Sequence, residues 1–293
     1  MSVNVHLIDG TYELFRFYYA VPEHFDPDGV DVGAVRGVVT SVLELLEGGA
    51  THVGVATDHI VESFRNDLFD GYKTGVGIDP VLFAQFPLVE EALRALGVTV
   101  WAEVELEADD ALASAAAVAV SDADVQRIHI CTPDKDLAQC VQDPRIVMFD
   151  RRKNVVLNEA GVREKYGVPP ASIPDWLALV GDSADGFPGL PGWGAKSAAA
   201  VLSRYAHLDD IPDDPATWDV EVRGAARLGA TLAKQREDAR LFLTLATLRT
   251  DGDVGTPEQW RWRGPAGEME AWADRLGRPE LATRASRLAE RRT

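Results

Sequence analysis

The stretch Gly189–Ser197, GLPGWGAKS, nearly spells a phosphate-binding loop, and whether it is one decides which fold surrounds it. A nucleotide P-loop needs Gly, four residues, then Gly-Lys-Ser or Gly-Lys-Thr in direct succession, at the end of a buried strand. Here Gly189 and Gly194 have the spacing, but Ala195 separates Gly194 from Lys196. The preceding WLALVGDSADGFPG reads as a short helix and a turn, with no strand. The nucleotide cradle therefore fails, and the stretch reads as a glycine-rich turn between helices.

Upstream, β-type runs alternate with helical patterns. VNVHLID (3–9), HVGVATD (52–58), VTVWAEV (98–104) and RIHICTPD (127–134) are candidate strands, and RIVMFD (145–150) with NVVLN (154–158) reads as a hairpin. AVRGVVTSVLELL (34–46) and EADDALASAAAVAV (107–120) have helical spacing, and VLFAQFPLVEEALRAL (81–96) is partly helical. Such alternation predicts an α/β fold with a mostly parallel sheet and helices on both faces. Beyond about residue 160 the segments EAGVREKYG, IPDWLALVG, AKSAAAVLSRYA and a long run over 223–248 all read as helices. The expected division is a core over 1–172, a helical region over 173–250 and a tail over 251–293 with no assigned role.

The 293 residues are 46% hydrophobic and 26% charged, an ordinary globular composition. No apolar run reaches the roughly 18 residues of a membrane span. The start, MSVNVHLIDG, lacks the basic region of a signal peptide, and two cysteines, Cys131 and Cys140, fit reduced thiols, so a cytoplasmic protein is expected. The net charge of −18 argues, taken alone, against a nucleic-acid partner. It fits either a solubilising surface or carboxylates gathered around cations.

The carboxylates favour the second reading. Three candidate strands end in aspartate, Asp9, Asp58 and Asp134, and ligands of open parallel sheets bind outside the carboxyl ends of strands. Glu107, Asp109 and Asp110 open a helix, where the dipole alone would favour them, yet Glu107 and Asp110 also share a helix face. Asp136 follows Asp134 by two, a spacing that places both on one side of extended backbone. Asp182 and Asp185 lie in GDSADG, whose ordinary reading is an Asx-rich turn. Oxygen ligands without Cys or His indicate a hard cation, Mg²⁺ or Mn²⁺. This number of carboxylates exceeds what one Mg²⁺ takes and fits two ions roughly 4 Å apart, the arrangement for in-line attack on a phosphodiester.

With these residues in view, the chain resembles the 5′-nuclease (flap endonuclease) family, in particular the 5′→3′ exonuclease domain found at the N-terminus of bacterial DNA polymerase I. The resemblance runs from about residue 3 to about residue 250. It rests on LIDG (7–10), SFRNDLFDGYK (63–73), ELEADDALAS (105–114), TPDKDLAQ (132–139), EKYGVPP (164–170) and LVGDSADGFPGLPGWGAKSA (179–198), in family order and spacing. No polymerase-like segment follows, so a stand-alone nuclease is expected.

The resemblance implies a PIN-like core, an arch near 70–95 and a helix–three-turn–helix DNA-binding subdomain. It implies metal-dependent 5′→3′ exonuclease and flap endonuclease activity on nicked, flapped or branched DNA in replication or repair, by two-metal phosphodiester hydrolysis. Asp9, Asp58, Glu107, Asp109, Asp110, Asp134, Asp136, Asp182 and Asp185 would hold two Mg²⁺ or Mn²⁺ ions. Lys73 would sit by the scissile phosphate, Tyr72 would stack on the terminal base, Arg65 would contact phosphate at the mouth, and Arg16 would be a second, weaker DNA contact of the same kind. Gly189, Gly192, Gly194, Lys196 and Ser197 would hold a duplex phosphate, with K⁺ on the backbone carbonyls of the turn. A monomer is the expected state. Residues 223–249 carry six Arg or Lys against Glu237 and Asp238, a candidate DNA-backbone helix or a solvated face.

One segment departs from the pattern. Residues 74–93, TGVGIDPVLFAQFPLVEEAL, hold no Lys, Arg or His where the family has a basic arch, and Val76 stands where a basic residue is usual. Two other readings follow, a branched-DNA-binding relative with little catalysis and a PIN-type ribonuclease.

Overall fold

A computed structural model describes residues 3–292, which divide into two compact units. The first comprises residues 1–61, 75–132 and 250–293, and the second comprises 62–74 and 133–249.

The first unit is built on four parallel strands in the order β3-β2-β1-β4: β1 (Val3–Asp9), β2 (His52–Asp58), β3 (Thr99–Glu103) and β4 (Val125–Cys131). Val5, Leu7, Val53, Val55, Ile128 and Ile130 are fully buried, as expected of strands covered on both faces. Successive strand residues point to opposite faces. Thr57 donates to Glu90 of the helix Gln85–Ala95, while Asp58 accepts from Ala108 of the helix Ala108–Ser121. These two helices therefore cover opposite faces. The helix Gly33–Glu47 buries Val35, Val38, Val39, Val42 and Leu46 at helical spacing, each side chain contributing about 1.5–3 kcal/mol on full burial.

The stretch 81–96, expected to be partly helical, forms two helices, Pro80–Phe83 and Gln85–Ala95. Pro87 explains the break, because it lacks an N–H for the Phe83 carbonyl and its ring clashes with that carbonyl. The second piece is an amphipathic helix with Phe86, Val89 and Leu93 buried.

The tail left without a role packs in the first unit. It forms the helices Met269–Arg275 and Glu280–Glu290 and buries Trp260 and Trp262. The indoles of Trp101 and Trp260 both donate to the Val254 carbonyl, at 3.1 and 2.7 Å, and that of Trp262 donates to Leu96 O at 2.8 Å. Trp101 also lies over Gly54, where a Cβ would fall 2.1 Å from the ring, so only glycine fits there.

The second unit carries the antiparallel pair β5 (Ile146–Asp150) and β6 (Val155–Leu157), the expected hairpin. Its helices are Glu159–Tyr166, Ile173–Val180, Ala195–Tyr205, Ala225–Lys234 and Arg236–Ala246. The long run over 223–248 is thus two helices meeting at Gln235. Neighbours anchor them separately: Trp193 donates to Leu228 O, and the Arg236 guanidinium donates to Leu208 O and Ile211 O.

Candidate metal and nucleic-acid site

In the first unit the acids gather at the carboxyl ends of the parallel strands. Asp9 ends β1 and caps the helix Gly10–Tyr18, accepting from Tyr12 N at 2.8 Å and, on its other oxygen, from Thr132 Oγ1 at 2.9 Å. Asp58 ends β2, its N–H donating to Thr11 Oγ1 and its carboxylate accepting from Ala108 N at 2.9 Å. Glu107 and Asp110 form a reciprocal capping box at the start of Ala108–Ser121, and both are buried, with Asp109 half-buried between them. Capping thus accounts for part of this acidity. It does not account for Glu103, which the sequence reading passed over. Glu103 is the register partner of Asp58, and burial, then Asp110 and Asp58, push its carboxyl above the usual range.

In the second unit Asp136, Asp182 and Asp185 bring carboxylate oxygens within 4.8 Å of one another. Asp136 is 6% exposed. Its Oδ1 is buried without a hydrogen-bond donor, the nearest cation being Lys135 Nζ at 3.9 Å. Burial first, then the charges of Asp134 and Asp185, hold its carboxyl well above the ordinary range. Asp134 and Asp136 meet otherwise than the extended-strand argument required. Asp136 opens the short helix Asp136–Cys140, and its N–H donates to Asp134 Oδ1 at 3.1 Å across a turn. Asp182 accepts from Ala184 N at 3.0 Å, the Asx turn read from GDSADG.

Lys73 is fixed at both backbone ends. Its N–H donates to Asp185 O at 2.9 Å, its carbonyl accepts from Asn66 Nδ2 at 2.9 Å, and its Nζ lies 3.2 Å from Asp185 Oδ1. Gly186 allows that approach: at φ +88° its Cβ would lie 2.2 Å from Gly71 O. The sequence reading also missed Lys135, which pairs with Asp182 inside the carboxylate group. Its signal was its position between Asp134 and Asp136.

Several expected contacts are placed otherwise. Arg65, expected at the mouth of the site, is 1% exposed and donates to the carbonyls of Leu245 (2.8 Å) and Thr247 (3.2 Å). Tyr72, expected to stack on a base, is 4% exposed, so its ring faces are enclosed. Arg16 pairs with the buried Glu13 and lies over the Phe17 ring. In the glycine turn, Gly189 (φ +67°) and Gly192 (φ +86°) occupy left-handed backbone that disfavours side chains. Gly194 is extended (φ −148°) with open space at its Cβ position, so its backbone does not demand glycine. Gly194 and Ser197 cap the helix Ala195–Tyr205, the serine hydroxyl bonding at 3.0 Å, and Lys196 is exposed in its first turn. In the basic run, Arg236 pairs with Asp213, and Arg240 with Asp209 and Glu237.

A buried carboxylate oxygen without a donor, among three close acids of the second unit, fits a hard divalent cation. Residues 4–167 match the profile of the 5′-3′ exonuclease N-terminal resolvase-like domain, and residues 168–268 match that of the 5′-3′ exonuclease C-terminal SAM fold. The chain is 36% identical over 258 residues to DNA polymerase I of Rhizobium leguminosarum, covering 85% of the chain and 25% of that protein. It therefore spans about a quarter of the length of such polymerases. It is 32% identical over 256 residues to the 5′-3′ exonuclease of Buchnera aphidicola, covering 86% of the chain and 84% of that protein. The fold is that of T5 5′-exonuclease, solved with bound zinc, at a TM-score of 0.67, 17% identity and 98% coverage of both chains. Its two domains follow one another in order, and a relative is matched over most of its length, so the chain belongs to the 5′-3′ exonuclease family of nucleases.

Proposed function

We propose that the protein is a metal-dependent, structure-specific 5′ nuclease that hydrolyses DNA phosphodiester bonds at flaps, nicks or branches in replication or repair, acting as a cytoplasmic monomer. The observation that carries this reading is the Asp136 carboxylate, buried with Oδ1 lacking a donor beside Asp182 and Asp185. Asp134, Asp136, Asp182 and Asp185 would hold Mg²⁺ or Mn²⁺ on the second unit, and Asp9, Asp58, Glu107, Asp109 and Asp110, with Glu103, on the first. Bound divalent ions lower the pKa of the attacking water and offset charge on the phosphate and leaving oxygen. Lys73, held by Asp185 and Asn66, supplies a fixed cation for the scissile phosphate. The turn at Gly189–Gly194 and the following helix N-terminus would hold duplex phosphate, with Lys196 adding charge and K⁺ on the turn's carbonyls. Phosphate contacts position without reading bases, so recognition would be of DNA structure, not sequence.

A second reading, a DNA-structure-binding relative with weak catalysis, is favoured by the cation-free segment 74–93. The two are separated by cleavage of a labelled 5′-flap duplex in Mg²⁺, Mn²⁺ and EDTA, comparing the natural protein with Asp134→Ala. Metal-dependent cutting near the branch that Asp134→Ala abolishes establishes the nuclease. Saturated binding without cutting in either metal establishes the second reading.

A further inference from the structure

We propose that Gln139 and Arg65 are positioning residues that hang the metal carboxylate Asp136 and the cation Lys73 from one helix end, the C-terminus of Arg236–Ala246. The proposal rests on the site reading above and lies within the second unit. The last carbonyls of a helix have no intrahelical partner and carry its negative dipole. Here Arg65 takes two of them, its guanidinium donating to Leu245 O and Thr247 O. Gln139 takes the one between, donating to Ala246 O at 3.0 Å, and accepts from Leu248 N at 3.0 Å.

Both clamps lead directly to reactive groups. The Gln139 Nε2 also donates to the backbone carbonyl of Asp136 at 2.8 Å, so one amide joins the helix end to the residue bearing the buried carboxylate. Arg65 neighbours Asn66, whose side chain closes the loop on Lys73 O and forms a capping box with Ser63. Lys73 in turn bonds Asp185 through its N–H. The helix end thus sets where Asp136 and Lys73 sit, with Gln139 and Arg65 acting through the backbone.

The test is calorimetric Mn²⁺ binding to the full chain without DNA, using Gln139→Met, which keeps length and loses every hydrogen bond. Outer partners of metal ligands are worth roughly 10- to 100-fold in affinity, so a loss of at least about tenfold is expected, with kcat on a nicked duplex falling in parallel. The Kd for the same duplex in Ca²⁺ should stay within about twofold, which a general loss of structure would not spare. Gln139→Glu, which keeps the bond from Leu248 N and loses both donors, should show the same loss and serves if the methionine variant does not fold. Arg65→Lys keeps charge without the fork and should lower kcat while sparing duplex affinity. Natural Mn²⁺ affinity in folded Gln139→Met, beside lost affinity in Asp136→Asn, would overturn the proposal and leave the site reading intact. Unchanged affinity in Asp136→Asn would overturn the site reading and the proposal together.

Discussion

Asp136 shows how one residue ties stability to metal. A carboxyl whose folded pKa lies above its unfolded value favours folding at low pH, and that contribution is lost as pH rises through the folded value. Burial and neighbouring acids raise Asp136, so without metal the protein should lose stability as pH climbs out of the ordinary carboxylate range. Thermal melts in EDTA across that range check the sign, and Asp136→Asn should flatten the dependence. A divalent ion that binds only the folded state should raise Tm, and Asp136→Asn should abolish that rise. Gly186→Ala is a second test at this scale. At φ +88°, with a Cβ 2.2 Å from Gly71 O, the change should cost more than about 1 kcal/mol and displace the loop that holds Lys73, lowering cleavage more than duplex affinity.

Single residues also show what a sequence leaves illegible. Each carboxylate expected at the site was picked out by its type and its place at a strand end, a helix start or a turn. The backbone between Asp134 and Asp136 was misjudged because spacing of two implies one face only in extended chain, and here a turn intervenes. The burial of Arg65 and Tyr72 was illegible because a motif gives residue type without burial. Glu103 escaped because the expected strand runs to Val104, which places this acid inside it, whereas the strand ends at Glu103.

At the scale of elements, the four parallel strands were legible because short runs rich in Val and Ile alternate with helical patterns, although only β2 is buried along nearly its whole length. The element that departs most from expectation is the stretch after Lys73. Its apolar spacing builds a packed helix, Pro87 breaks that helix from the short piece before it, and no cation faces solvent along 74–93. Val76 is 90% exposed, so a charged side chain there meets no packing cost. Val76→Lys should strengthen binding to flapped DNA and steepen log K against log salt by about one unit, since each neutralised phosphate adds roughly 0.7–0.9 to the slope. Fluorescence anisotropy titrations at several salt concentrations measure this. An unchanged slope would mean that this segment does not meet the DNA backbone.

Across the whole molecule, the chain's last segment matters most for what was missed. Residues 250–293 mix Gly, Pro, Trp and Arg with one last helical piece, so the sequence announced a terminal helix but neither the helix Met269–Arg275 before it nor where the two pack. Their placement is set by long-range contacts that no local window contains: Trp262 N bonds Thr51 O at 2.8 Å, Arg275 pairs with Asp26, and Arg284 with Glu47. Trp260 is among the largest fully buried side chains and packs edge-on against Trp101, with ring centroids 5.3 Å apart. Deleting such a side chain leaves a cavity, so Trp260→Ala should cost about 3–5 kcal/mol. Marginal stabilities of about 5–15 kcal/mol make that a large fraction of what holds a domain folded. Truncation after Thr250 removes Trp260 and Trp262 together and takes away the Val254 carbonyl that accepts the Trp101 indole, so it should leave the first unit unable to fold stably. Urea unfolding followed by tryptophan fluorescence tests both changes. A natural midpoint in Trp260→Ala would show that the first unit's core does not depend on the tail.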